Sequence, residues 1–163
     1  MEQKTRIAAE EGRQYFVITR EFDLPVELLF KAHEDAELFE QWMSHEYGKA
    51  RVVKWEMRQH GGWRFETADA QGNVLFGAGG VFHEVVANKK ITRTFEMDGS
   101  LFDVQLEFLE FEQLTGDTSR LTMQSVFRNP QLRDEMLKLP FAQGLNMAHN
   151  RLQHLFSRLA GHS

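Results

Sequence analysis

The sequence predicts an α+β protein in which a curved antiparallel β-sheet wraps around one long C-terminal α-helix, with two short helices after the first strand. Three observations carry this. Leu145, Ala148, Leu152, Leu155 and Leu159 recur at alternating steps of three and four, which is one apolar face of a helix. From Arg51 to Phe127 the period changes to two, in short runs separated by polar or glycine-containing turns. An antiparallel sheet must bury one face, and a helical run from Pro140 to Ala160 would be about 30 Å long, enough to cross it.

In chain order, residues 1–13 are charged and aperiodic and read as a flexible tail, so a single domain spans 14–163. Gln14 to Asp23 alternates as a strand with Phe16, Ile18 and Phe22 inward. Pro25 suits the first turn of a helix and Asp35 the N-cap of a second, giving two short helices in a V. Val53-Lys54-Trp55-Glu56-Met57 and Trp63-Arg64-Phe65-Glu66 alternate about the Gly61-Gly62 turn. Val74 to Val86 is a long strand whose Gly77, Gly79 and Gly80 suggest a bulge or bend. Lys90 to Glu96, Val104 to Gln113 and Ser119 to Phe127 complete a meander. Asn129 and Pro130 open a helix that Pro140 interrupts before the last one.

Composition narrows the function classes. A net charge of −5 without a basic run excludes nucleic acid as a general partner. With no cysteine there is neither a disulfide nor a thiolate site, and no apolar run reaches the roughly 18 residues of a membrane span. A cytoplasmic protein is expected, as a monomer or homodimer. Seven histidines give no ligand spacing: His149 and His154 stand about 140° apart around a helix. No metal, cofactor or catalytic residue is expected. Ser44-His45-Glu46 holds the residue types of a triad, but neighbours in sequence rarely face one another.

Thr19-Arg20-Glu21-Phe22 with Pro25, Leu29-Phe30 and Trp42, then Arg58 with Gly61-Gly62-Trp63-Arg64-Phe65, form an ordered pattern. It continues through Gly80-Val81-Phe82, Glu84-Val85-Val86, Thr94-Phe95-Glu96, Leu121-Thr122 and Gly144 with Arg151-Leu152. This pattern resembles the SRPBCC superfamily of START and birch-pollen-allergen proteins, in the branch of activator of Hsp90 ATPase homologues. It covers nearly the whole chain after the tail. The resemblance implies a helix-grip fold with a hydrophobic cavity under the last helix, and no shared chemistry. Gln59-His60 and the approach from Leu132 to Pro140 depart from the family pattern, both near the expected cavity.

Fourteen Phe, three Trp and two Tyr are many for 163 residues, and aromatic walls either fill a core or line an apolar pocket. As a pocket, the wall would comprise Trp42, Trp55, Met57, Trp63, Phe65, Phe82, Phe95 and Met123, with Phe141, Gly144, Met147 and Arg151 facing it from the last helix. Arg93 shares parity with Ile91 and Phe95; it points inward unless a bulge turns it out. Glu107 reads as outward-facing. The leading expectation is a binding protein for a small hydrophobic or amphipathic ligand. The alternatives are chaperone regulation by protein contact and a cofactor-independent enzyme acting in the same cavity.

Overall fold

The computed structural model describes residues 3–160, with side chains as far as Phe156. The elements run β1 (Arg6–Ala8), β2 (Tyr15–Phe22), α1 (Val26–Glu34), α2 (Ala36–Met43), β3 (Lys49–Trp55), β4 (Gly62–Ala68), β5 (Val74–Val86), β6 (Lys90–Met97), β7 (Gln105–Gln113), β8 (Ser119–Val126), α3 (Pro130–Leu137) and α4 (Phe141–Ala160). All strands join one antiparallel sheet in the order β1-β2-β8-β7-β6-β5-β4-β3. The meander from β3 to β8 is thus completed by β2, which returns from the start of the chain to lie beside the last strand.

Local chemistry sets the helix starts. Asp35 Oδ1 accepts from the Leu38 amide at 3.0 Å and Asn129 Oδ1 from the Leu132 amide at 2.9 Å, each supplying a partner to an otherwise orphaned first-turn donor. Pro140 separates α3 from α4, where its ring cannot continue the ladder. Within the stretch expected to be a loose tail, Arg6–Ala8 pairs with Val17, Ile18 and Thr19 of β2. Thr5 then ties this edge to α4, its amide donating to Asn146 Oδ1 at 2.9 Å. The tail reading is corrected for these residues: three are too few to show a period, and the order comes from long-range hydrogen bonds. Met1 and Glu2 lie outside the described residues, as does the side chain of Leu159.

The helices bury one face of the sheet. Phe141 stacks on Phe16 at 5.3 Å between centroids, and His149 meets the edge of Phe22 at 5.5 Å. Ala148, Leu152 and Phe156 continue the α4 seam into the core, while α1 brings Phe30 against Phe111. Phe39 of α2 touches Trp42, Trp55, Trp63 and Phe65, so most of the aromatic excess is spent on core packing.

The register shifts of β5 flank its glycines, at Val74–Phe76 in the pairing with β4 and between Phe82 and Glu84 in the pairing with β6, and Gly80 serves a further purpose. At Gly80 a Cβ would overlap the Thr94 carbonyl oxygen of β6, the same atom that accepts from Trp63 Nε1 of β4 at 3.2 Å. Gly80 lies between these strands, and its bare backbone lets the indole reach across β5.

Candidate functional site

On the inner face, Phe16, Ser125, Glu107, Arg93 and Phe82 form one row across five strands, each opposite the next in register. The row is aromatic at both ends and polar in the middle. Arg93 Nε donates to Glu107 Oε1 at 2.8 Å, with the two side chains 11% and 6% exposed. Gln105 Nε2 donates to Glu107 Oε2 at 2.9 Å, and the Arg93 guanidinium lies 4.5 Å from the Trp63 ring centroid. Ser125 Oγ is buried and meets no hydrogen-bond partner among the described residues, an unusual state for a buried polar atom.

One of these placements resolves an open sequence reading and the other corrects one. Arg93 points inward, which the residues alone left open. Glu107, expected outside, is 4% exposed. The apolar phase of β7 changes along its length: Leu106 and Phe108 share one parity, Leu109 and Phe111 the other. The second pair is buried against Ile91, Met123 and the helices, so strict alternation carries Glu107 and Gln105 inward and leaves Phe108 37% exposed. The signal was present in two matched parities, Arg93 with Ile91 and Glu107 with Leu109.

The other expected site residues divide into groups. Trp42, Trp63, Phe65, Phe82 and Met123 are buried in the core, and Trp42 Nε1 donates to the Ala32 carbonyl at 2.8 Å. Trp55, Met57, Phe95 and Phe141 are half-buried against it. Met147 is 52% exposed, because it lies about 100° around α4 from buried Ala148. Gly144 belongs to the uncovered first turns, with open space around the position of a Cβ, so no strand approaches it. Arg151 faces α2 rather than the sheet: its Nε donates at 2.9 Å to the Trp42 carbonyl near the α2 C-terminus, and burial lowers its pKa.

Two buried histidines, His33 of α1 and His149 of α4, lie deeper; the sequence weighed His149 only as a metal ligand beside His154. His33 Nδ1 contacts the Leu29 carbonyl at 2.9 Å, so that nitrogen carries the proton and Nε2 is left with its lone pair. Burial lowers its pKa to about 4, the backbone hydrogen bond opposes this, and the Arg93 charge adds to it. His149 Nδ1 is 2.7 Å from Thr5 Oγ1; burial, then His33 and Arg20, holds its pKa well below the ordinary value. Both imidazoles are therefore neutral at pH 7.

Coverage of the inner face is graded. Toward α1, Phe22, Leu29, Ile91 and Leu121 are shut away. At the opposite end, where β6 turns into β7 and β8 leads to α3, Phe95, Met97 and Phe102 are only half-buried, as are Leu137, Phe141 and Leu145 of α3 and α4. Leu101 in the β6–β7 connection is 87% exposed. A groove of about 480 Å³ also opens at this end, lined by Thr94, Val104, Leu106 and Val126 of the outer face together with Gln105 and Phe127. None of the side chains expected to hold a ligand is among its walls. No group of three or more metal-ligating side chains occurs among the described residues, and none of their helices is long and apolar enough to cross a membrane.

The architecture recurs in solved structures. Protein Ms6760 from Mycobacterium smegmatis superposes with a TM-score of 0.83 at 16% identity, over 93% of this chain and 96% of that one. A protein from Rhodobacter sphaeroides gives 0.86 at 17%, over 95% and 99%, and one from Arthrobacter aurescens 0.82 at 17%, over 94% and 91%. At such identities the likeness speaks for the fold. No curated protein matches the sequence. The profile of the family described as activator of Hsp90 ATPase homolog 1-like protein matches residues 23–157, from the loop before α1 into the last turns of α4, and the chain belongs to that family, with its helix-grip arrangement of sheet and C-terminal helix.

Proposed function

We propose that the protein holds a small amphipathic molecule between the inner face of the sheet and α4, at the half-covered end. The observation that carries this reading is the graded coverage described above: Phe95, Met97, Phe102, Leu137, Phe141 and Leu145 stay half-buried, Phe95 two residues along β6 from the Arg93–Glu107 pair, while the opposite end of the same face is shut. Apolar walls with a few fixed polar groups are the ordinary composition of a small-molecule site. Neither a nucleophile with its base nor a metal-ligand group accompanies the pair among the described residues, which favours binding over covalent chemistry.

Native mass spectrometry of gently purified protein, with thermal shifts across a library of lipids and aromatic metabolites, tests the proposal. A co-purifying small molecule, or a ligand raising Tm by several degrees, is the expected result. A protein that carries nothing and is stabilised by nothing would overturn it. A second reading, contact with an Hsp90-type chaperone, draws on the family name and on the apolar outer face, where Val81, Val104 and Phe108 are exposed. A pull-down and an ATPase assay with that chaperone separate the two.

A further inference from the structure

We propose that the buried end of the ligand is an uncharged hydroxyl or carbonyl group seated on Ser125 and Arg93, and that carboxylates are selected against. This deepens the ligand-holding reading and rests on it. Ser125 Oγ is buried with no hydrogen-bond partner among the described residues, and it stands in register between Phe16 and Glu107 on the inner face. Arg93 commits Nε to Glu107, and its two terminal nitrogens make no hydrogen bond to a described residue. A hydroxyl can accept from these donors and give its proton to Ser125 or Glu107; a carbonyl can accept from both.

The charge count decides the sign of the head group. Arg93 and Glu107 cancel one another at 2.8 Å. His33 is neutral at pH 7 and adds nothing. The other buried cation of the inner face, Arg20, stands four residues along β2 from Phe16, roughly 13 Å away at the strand rise, and is engaged by Asn146 and Thr5. Beside the mutually neutralised Arg93–Glu107 pair, a ligand carboxylate would therefore add an uncompensated charge to mostly apolar surroundings, where desolvation outweighs its attraction to a guanidinium already paired.

Two matched pairs of probes test this on the full chain at pH 7.5 by titration calorimetry: 1-decanol against decanoate and 2-naphthol against 2-naphthoate. In at least one pair the alcohol should bind about tenfold or more tightly than the carboxylate. Ser125→Ala should weaken alcohol binding by about three- to tenfold while leaving or raising Tm without ligand, because it removes an unpaired buried hydroxyl. Glu107→Gln, which leaves the Arg93 charge uncompensated, should reverse the preference toward the carboxylate. Carboxylates binding as well as alcohols to the unaltered protein would overturn the inference and leave the ligand-holding reading standing. So would alcohol binding indifferent to Ser125→Ala, or a crystal structure in which bound alcohol leaves an ordered water on Ser125. Failure of all four probes, with no library ligand either, would remove the ligand-holding reading itself.

Discussion

A buried ion pair is judged by what its loss exposes. Removing one member of Arg93–Glu107 strands the other in a site 6–11% exposed, so Arg93→Met should cost about 3–5 kcal/mol in urea unfolding. The double variant Arg93→Met with Glu107→Leu should recover most of that, since an apolar pair of similar bulk has no charge to desolvate. If the double variant were as unstable as the single one, the pair would be contributing more than mutual neutralisation. Half of the pair was legible in the chain. Arg93 has the parity of Ile91 and Phe95, but Glu107 was hidden by Leu106 and Phe108, whose apolar character suggested the opposite phase. Only packing against Ile91 and Met123 selects Leu109 and Phe111 for the inside.

At the scale of elements, two of the glycines the sequence emphasised, Gly80 and Gly144, have opposite surroundings. Gly80→Ala should destabilise by about 1–3 kcal/mol or more, because its Cβ would meet the Thr94 backbone and push β5 away from β6. Gly144→Ala should stabilise by about 0.5–1 kcal/mol, because it stands in the helix with nothing within 4 Å of the added carbon. Thermal unfolding of both variants checks the pair of signs. Helix starts and strand runs were readable because caps and alternation are local: Asp35, Asn129 and Pro140 each act where the sequence placed them. Gly80 acts through strands that are distant in sequence, and β1 is three residues held by β2. Neither leaves a periodic trace.

For the whole molecule, the two interior histidines tie stability to pH. In the unfolded chain each takes up a proton near pH 6.5; in the fold His33 does so only near 4, and His149 well below 6.5. The stability they contribute is complete above pH 6.5 and is lost as pH falls through the folded values. For His33 the loss amounts to about 3 kcal/mol at 1.36 kcal/mol per unit. Arg93 near His33, and Arg20 and His33 near His149, penalise the protonated forms further. Urea midpoints from pH 7.5 to 4 should fall steeply for the natural protein and less for His33→Phe, which keeps an aromatic ring between Trp42 and Phe111. Equal slopes would mean that the acid sensitivity originates elsewhere.

The contacts of Thr5 with Asn146 and His149 fasten the chain's first residues to the midpoint of its last helix. That fastening works like a latch halfway along a hatch. A guest could not arrive by the middle of α4 swinging away from the sheet, because the latch would have to tear free and strip the outermost strand with it. On the ligand-holding proposal, entry would instead fall to the half-covered end, where this latch ties down neither the Pro140 break between α3 and α4 nor the exposed Leu101 of the β6–β7 connection.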